Sequence, residues 1–97
     1  MLLKLGVSIA RLIRQCRRAL SIVEDVFRLL DDEPVVTSTF ESNHSPGSLH
    51  YCNAAFDLRL PAGRVDIITD RLKKALSPDF DVVQHGDHLH IEYDPKT

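Results

Sequence analysis

Hydrophobic residues in the first third of the chain recur every three or four positions. The recurring positions are Leu5, Ile9, Leu12, Ile13, Cys16, Leu20, Val23, Phe27 and Leu30. This spacing predicts a stripe along one side of an amphipathic helix, or of two abutting helices. Arginines between these positions predict a basic outer face. We interpret this face as solvated surface, with contact to an anionic surface or partner as the alternative.

After Pro34 the hydrophobic period changes to that of strands. Residues 35–40 are rich in β-branched side chains, and residues 55–60 alternate between apolar and polar, so each stretch predicts a strand. The polar stretch between them, residues 41–53, predicts a long loop. Loops of this length inside a compact domain are usually functional.

The remaining residues predict one more helix and a hairpin. Residues 64–76 carry apolar side chains at helical spacing, with Asp66 early and Lys73 and Lys74 late, as the helix dipole favours. Residues 80–84 and 88–93 are two predicted strands joined by a turn at Gly86 and Asp87. We therefore predict an α+β fold, with two helical segments packed on one face of a small, mainly antiparallel sheet.

The composition is that of one ordinary globular domain spanning residues 1–97. Hydrophobic residues make up 43% of the chain and charged residues 27%, which excludes a disordered chain. The net charge of −2 conceals an asymmetry: residues 1–30 carry six basic and two acidic groups, and the remainder carries six and twelve. This acidic majority argues against a nucleic-acid partner.

The first ten residues are apolar but lack the features of a targeting signal. Lys4 interrupts them, Arg11 follows at once, and no small-residue cleavage site is present. We therefore expect no signal peptide and no membrane span, so that the protein is cytoplasmic when it is made.

Four of the five histidines, with one aspartate, form two clusters along the chain. His50 and Asp57 belong to the first cluster, and His85, His88 and His90 belong to the second. Zinc at a catalytic site commonly takes two imidazoles and a carboxylate and leaves a fourth position to water. In the last strand the histidines alternate with apolar residues and share one face. The pattern predicts a hydrolase with zinc on the sheet face opposite the helices.

These residues resemble the motifs of a known peptidase family. The family pattern S-x-H-x-x-G-x-A-x-D followed by H-x-H is matched by Ser48, His50, Ala55, Asp57, His88 and His90. It marks the zinc D-alanyl-D-alanine carboxypeptidase group of the LAS peptidases, which share their zinc site with lysostaphin-type enzymes and sonic hedgehog. Residues 35–95 look especially like the compact versions of this domain found in bacteriophages and prophages, with Asn53 where the family usually has glycine.

The resemblance implies a set of metal ligands. It makes His50, Asp57 and His90 the three residues that hold zinc. Cys52 lies close to His50, and its thiolate is an alternative ligand. Glu92 shares the strand face of His90, where we expect a carboxylate outside the ligand set.

The resemblance also places the catalytic groups. His88 or Asp87 is the candidate base, and His85 is placed to steady the oxyanion. Each has an alternative role: His88 as a residue that orients a ligand, and Asp87 as a turn former.

Two further residues are candidates for substrate binding. Ser48 belongs to the first motif, and Arg59 follows the second ligand in the same predicted strand. The arginine with which the family grips a substrate carboxylate has no counterpart in residues 37–42. Arg59 can replace it only if it lies on the same strand face as the ligands.

By resemblance, the protein is a zinc-dependent peptidase that hydrolyses D-alanine-containing stem peptides of peptidoglycan. Its partners are then peptidoglycan peptides, and we expect a monomer. A phage or prophage copy without a signal peptide would need phage-assisted release or delivery to reach the cell wall. The competing hypothesis is a non-catalytic phage structural or binding module that keeps the same zinc-stabilised fold.

Overall fold

Two helices and five strands alternate along the chain in the computed structural model, which describes residues 1–10, 12–39, 54–61 and 63–95. In chain order they are β1 (Leu2–Leu3), α1 (Arg14–Leu29), β2 (Val35–Thr39), β3 (Ala55–Arg59), α2 (Val65–Leu76), β4 (Phe80–Gln84) and β5 (His88–Tyr93). The strands form one sheet in the order β1-β2-β3-β5-β4. β1 and β2 are parallel and the other neighbours are antiparallel, which confirms an α+β fold with a mainly antiparallel sheet.

One face of the central strands forms the floor of the hydrophobic core. Phe56 pairs with Ile91 and Leu58 pairs with Leu89 across β3 and β5, and all four side chains are fully buried. Buried residues of both helices join the same hydrophobic cluster. Because strand side chains alternate between faces, the residues between these four point away from the helices.

Helix α1 is held by its packing rather than by its ends. Its N-cap residue, Ile13, makes no side-chain capping bond, and no acidic residue lies in its first turn. Cys16, Leu20, Val23 and Phe27 are nonetheless all buried, in the three- and four-residue steps that the sequence predicted. Burial of such a stripe supplies most of the stability of a helix of this length.

The predicted extension of this helix toward Leu5 is wrong. The helix begins only at Arg14, Leu2–Leu3 form a strand, and Leu5 is 99% exposed. The backbone amides of Leu2 and Lys4 donate hydrogen bonds of 2.9 Å to the carbonyls of Pro34 and Val36. A long-range pairing with β2 therefore replaces the local helical bonds that the hydrophobic spacing favoured.

Helix α2 begins and ends within a residue of its prediction. Arg64 precedes it in a left-handed conformation, and its guanidinium Nη1 donates a hydrogen bond of 3.0 Å to the carbonyl of Leu30, just beyond α1. This contact ties the start of one helix to the end of the other. Neither helix in the described part of the chain has the length and apolarity needed to cross a membrane.

The other predicted strands agree with the structure. β2, β3, β4 and β5 match their predicted positions within one residue, and β4 and β5 form the expected hairpin. The predicted loop at residues 41–53, together with Phe40, lies outside the described residues. That segment joins the end of β2 to the start of β3.

The same substitution at two leucines of the predicted stripe tests where the buried part of the stripe begins. Leu20 is 2% exposed and Leu5 is 99% exposed. We expect Leu20→Ala to lower the free energy of unfolding by about 2–5 kcal/mol, because it leaves a cavity in the core. Leu5→Ala should change it by less than about 0.5 kcal/mol. Urea denaturation followed by circular dichroism measures both, and an equal loss for the two variants would contradict the revised boundary.

Candidate functional site

Polar side chains gather on the face of β3 and β5 that points away from the helices. Asp57 lies directly opposite His90, and Arg59 lies directly opposite His88. Residues that face each other across antiparallel strands project from the same side of the sheet. These four residues therefore share one face, as does Glu92, which lies two positions beyond His90. The predicted placement of Asp57 and His90 on the face opposite the helices agrees with this register.

Asp57 is the centre of this group. It is 8% exposed, and its Oδ1 accepts a hydrogen bond of 2.7 Å from Nδ1 of His90. Its second oxygen, Oδ2, lies 3.6 Å from Nε2 of His88. A carboxylate removed from water needs partners of opposite charge or hydrogen-bond donors, and here two imidazoles provide them.

His90 has a carboxylate beside each ring nitrogen. Nδ1 contacts Asp57, and Nε2 lies 3.3 Å from Oε1 of Glu92. Glu92 therefore belongs to the site as a neighbour of His90. Its position two residues beyond His90 in the same strand was the sequence feature that indicated this. His90 thus connects Asp57 of β3 with Glu92 of its own strand.

His88 is held by the turn that precedes it. Its Nδ1 lies 2.5 Å from Oδ1 of Asp87, whose side chain is 91% exposed. The hydrogen bond that His88 donates to Asp87 raises the pKa of His88; burial lowers this pKa by less, and the charges of Asp57 and Asp87 raise it further. The same bond lowers the pKa of Asp87. Asp87 is therefore an ionised group that orients His88, and a carboxylate with a lowered pKa is the weaker base of the two.

His85 completes a cluster of three histidines at the end of the hairpin. Its ring centroid lies 4.8 Å from that of His88 and 6.2 Å from that of His90. Its backbone amide donates a hydrogen bond of 2.8 Å to the carbonyl of His88, which closes the turn. His85, His88 and His90 are thus neighbours in space as well as in sequence.

An open groove of about 320 Å³ borders Asp57 and His88. Arg59 lines it and lies on the same strand face as Asp57. Lys4 lines the opposite side, and Ser38 of β2 lies between them in the sheet. Sequence reasoning missed Lys4, because its position depends on the pairing of a two-residue strand, which has no periodic signal.

The distance between the two described donor atoms, Asp57 Oδ1 and His90 Nδ1, bears on how well they fit zinc. Two donors bound at 2.0–2.1 Å in a tetrahedral site lie about 3.3 Å apart. Asp57 Oδ1 and His90 Nδ1 are 2.7 Å apart, which is about 0.6 Å less than this separation. Within the described ranges, no group of three His, Cys, Asp or Glu side chains is arranged to hold a metal ion.

The other predicted members of the site belong to the segment between β2 and β3. His50 is the predicted third ligand, and it lies outside the described residues, as do Ser48 and Cys52. The described residues therefore supply an oxygen and a nitrogen donor that suit zinc, with a third donor expected from the segment between β2 and β3.

The contact between Asp87 and His88 gives a testable pKa change. We expect Asp87→Asn to lower the pKa of His88, because it removes the largest cause of the upward shift. In the wild type the imidazolium should persist to a higher pH than in the variant. NMR titration of the imidazole resonances in metal-free protein measures this. Asp70→Asn, an exposed substitution on α2, should leave the His88 titration unchanged, and an unchanged curve in Asp87→Asn would contradict the assignment.

Comparison of the chain with protein-family models, with curated proteins and with solved structures finds no match. The assignment of a function therefore depends on the motifs and on the geometry of the described residues.

Proposed function

We propose that this protein is a zinc-dependent peptidase that hydrolyses D-alanine-containing stem peptides of peptidoglycan. The observation that carries the proposal is the 2.7 Å contact between Asp57 and His90, which lie 33 residues apart in the chain. Each belongs to a different half of the motif that resembles the family pattern, and the two residues meet on one sheet face. His88 lies beside them and borders a groove, where a peptide has access.

The residues divide into metal ligands and proton carriers. His50, Asp57 and His90 would hold the metal. Zinc bound there supplies polarisation of the scissile carbonyl and a lower pKa for the attacking water. His88 accepts the proton from that water and passes it to the leaving amine. Its Nδ1 is fixed by Asp87, which leaves Nε2 as the working nitrogen.

Metal binding would favour the neutral form of His88 that a base requires. A base must be neutral before it accepts a proton, and a cation held by Asp57 disfavours a second positive charge on the neighbouring imidazole. Metal binding is therefore expected to oppose the upward pKa shift that Asp57 and Asp87 impose on His88. His85, with its ring 4.8 Å from that of His88, is the candidate to steady the developing oxyanion.

A non-catalytic, zinc-stabilised phage structural or binding module is the second candidate function. It is favoured by residues 37–42, which contain no arginine to grip a substrate carboxylate. In either case a phage or prophage copy would reach the cell wall through phage-assisted release. The two candidates share a metal and differ in turnover, so two separate measurements are needed.

The first measurement is of metal content. We expect about one zinc per chain after zinc loading, and we expect His50→Ala, Asp57→Ala and His90→Ala each to weaken binding sharply, because three protein donors leave no spare. His44→Ala, a histidine substitution in the same segment as His50, should bind zinc as the wild type does. Native mass spectrometry with elemental analysis is the assay. A wild-type protein that stays metal-free after loading would exclude both candidates.

The second measurement is of turnover. We expect His88→Ala and Asp87→Asn to keep zinc, and at least one of them to lose hydrolysis by about a hundredfold or more, as loss of a general base does. Chelation should abolish wild-type activity, and added zinc should restore it. Mass spectrometry of digested peptidoglycan stem peptides follows the reaction. If the zinc-loaded wild type cleaves no peptide across a broad panel, the binding module replaces the peptidase.

A further inference from the structure

Strand β4, at one edge of the sheet, has backbone groups with no partner in the described part of the chain. It is the last strand in the sheet order and pairs only with β5. At the end of the hairpin, the backbone amide of His85 donates a hydrogen bond to the carbonyl of His88. Hydrogen-bonded pairs alternate along an antiparallel ladder, so Phe80, Val82 and Gln84 direct their N–H and C=O groups away from β5.

Strand β4 lacks most of the features that keep sheet edges from pairing. Its five residues include no lysine and no proline, and its register with β5 runs without a bulge. Val83, within this strand, is 44% exposed. The opposite edge differs, because β1 is two residues long and is followed at once by Lys4. Short strands and lysines prevent edge association, so β4 is the edge that is open to a further strand.

The sequence of β4 is self-complementary in one antiparallel register. With Val82 opposite Val82 of a second copy, Phe80 faces Gln84 of that copy, and each facing pair exchanges about two hydrogen bonds. Asp81, the one charged residue of the strand, then faces Val83 of the second copy. A register centred on Asp81 instead loses one facing pair and sets two carboxylates directly opposite each other, which is destabilising.

Helix α2 adds charge complementarity beneath the same edge. It packs against β4 and against α1. A two-fold axis through the paired strands is perpendicular to the sheet, so the two copies of α2 run antiparallel. Asp66 lies in the first turn and Lys73 in the last, and both are exposed. The acidic start of each helix is therefore on the same side as the basic end of the other.

We propose that two copies of this chain associate through their β4 edges, so that their two sheets become one continuous sheet. The dimer follows from the fold and is independent of the proposed peptidase function. The two-fold axis keeps all the helices on one face and places His90 of both copies on the other. Three strand spacings separate the two copies of β5, which sets these site groups about 14 Å apart. Only the short β1 strands remain as edges, so the assembly is closed at two copies.

Self-association as a function of concentration is the first test. Two short strands form a small interface, which dissociates on dilution. We expect a monomer at about 10 μM and a dimer toward about 1 mM, as sedimentation velocity measures. The monomer that the sequence predicts is then the dilute form. A monomer at every concentration would leave the edge to another chain and overturn the proposal, as would assemblies that grow beyond two copies.

Amide hydrogen exchange locates the contact. The amides of Asp81 and Val83 bond to β5 and should exchange slowly at every concentration. The amides of Phe80, Val82 and Gln84 should exchange about tenfold more slowly when about nine-tenths of the chains are dimeric, because exchange then occurs from the dissociated fraction. A dimer in which these three amides exchange as they do in dilute protein would overturn the edge contact.

Substitutions on the edge test the register. Val83 faces Asp81 of the second copy, so Val83→Asp should weaken the dimer about tenfold or more, whereas Val83→Lys should keep it. Leu5→Asp places the same charge at the opposite edge, where Leu5 is 99% exposed, and should leave the dimer unchanged. Equal dissociation constants for Val83→Asp and Val83→Lys would overturn the register.

A proline substitution tests the backbone contact itself. Gln84→Pro removes an outward N–H group and leaves the ladder with β5 intact, so it should weaken the dimer without unfolding the monomer. Circular dichroism of dilute protein checks the fold of each variant. Undiminished association of a folded Gln84→Pro variant would contradict pairing through this edge.

Discussion

The pairing of β3 with β5 is the constraint on which the core and the site both depend. Its register sets Phe56 opposite Ile91 on one face and Asp57 opposite His90 on the other. A slip of one residue would exchange the faces, because strand side chains alternate with a period of two. Buried phenylalanine and leucine side chains against the helices make such a slip costly. The packing of these apolar side chains against the helices therefore sets the register on which the geometry of the polar group depends.

The sequence predicted those elements of the fold that carry a periodic signal of their own. Helix α2 and the last four strands have clear patterns, and their predicted bounds differ from the structure by no more than one residue. The stripe from Cys16 to Phe27 was equally clear. Its continuation to Leu5 was misleading, since Leu2–Leu3 pair with a strand more than thirty residues away. A contact that distant leaves no mark on local spacing.

The same distinction applies to the residues of the candidate site. Asp57, His88 and His90 were predictable because each motif lies on a strand whose alternation fixes its face, and the two strands are neighbours. The distances within the group were not predictable, and they change the roles. Contact with His88 lowers the pKa of Asp87, so His88 is the base that we propose. Lys4 lines the groove because of the unpredicted strand β1, so the sequence alone suggested only Arg59 at that place.

The acidic side chains of the site face depend on the histidines beside them. Asp57 is 8% exposed and its carboxylate faces two imidazoles, while Glu92 lies on the far side of His90. Removing one partner from a buried charged pair is costly because the other charge remains uncompensated. Asp57 therefore depends on His88 and His90 for its compensation, and the register of β3 and β5 that the core fixes is what keeps these two side chains beside it.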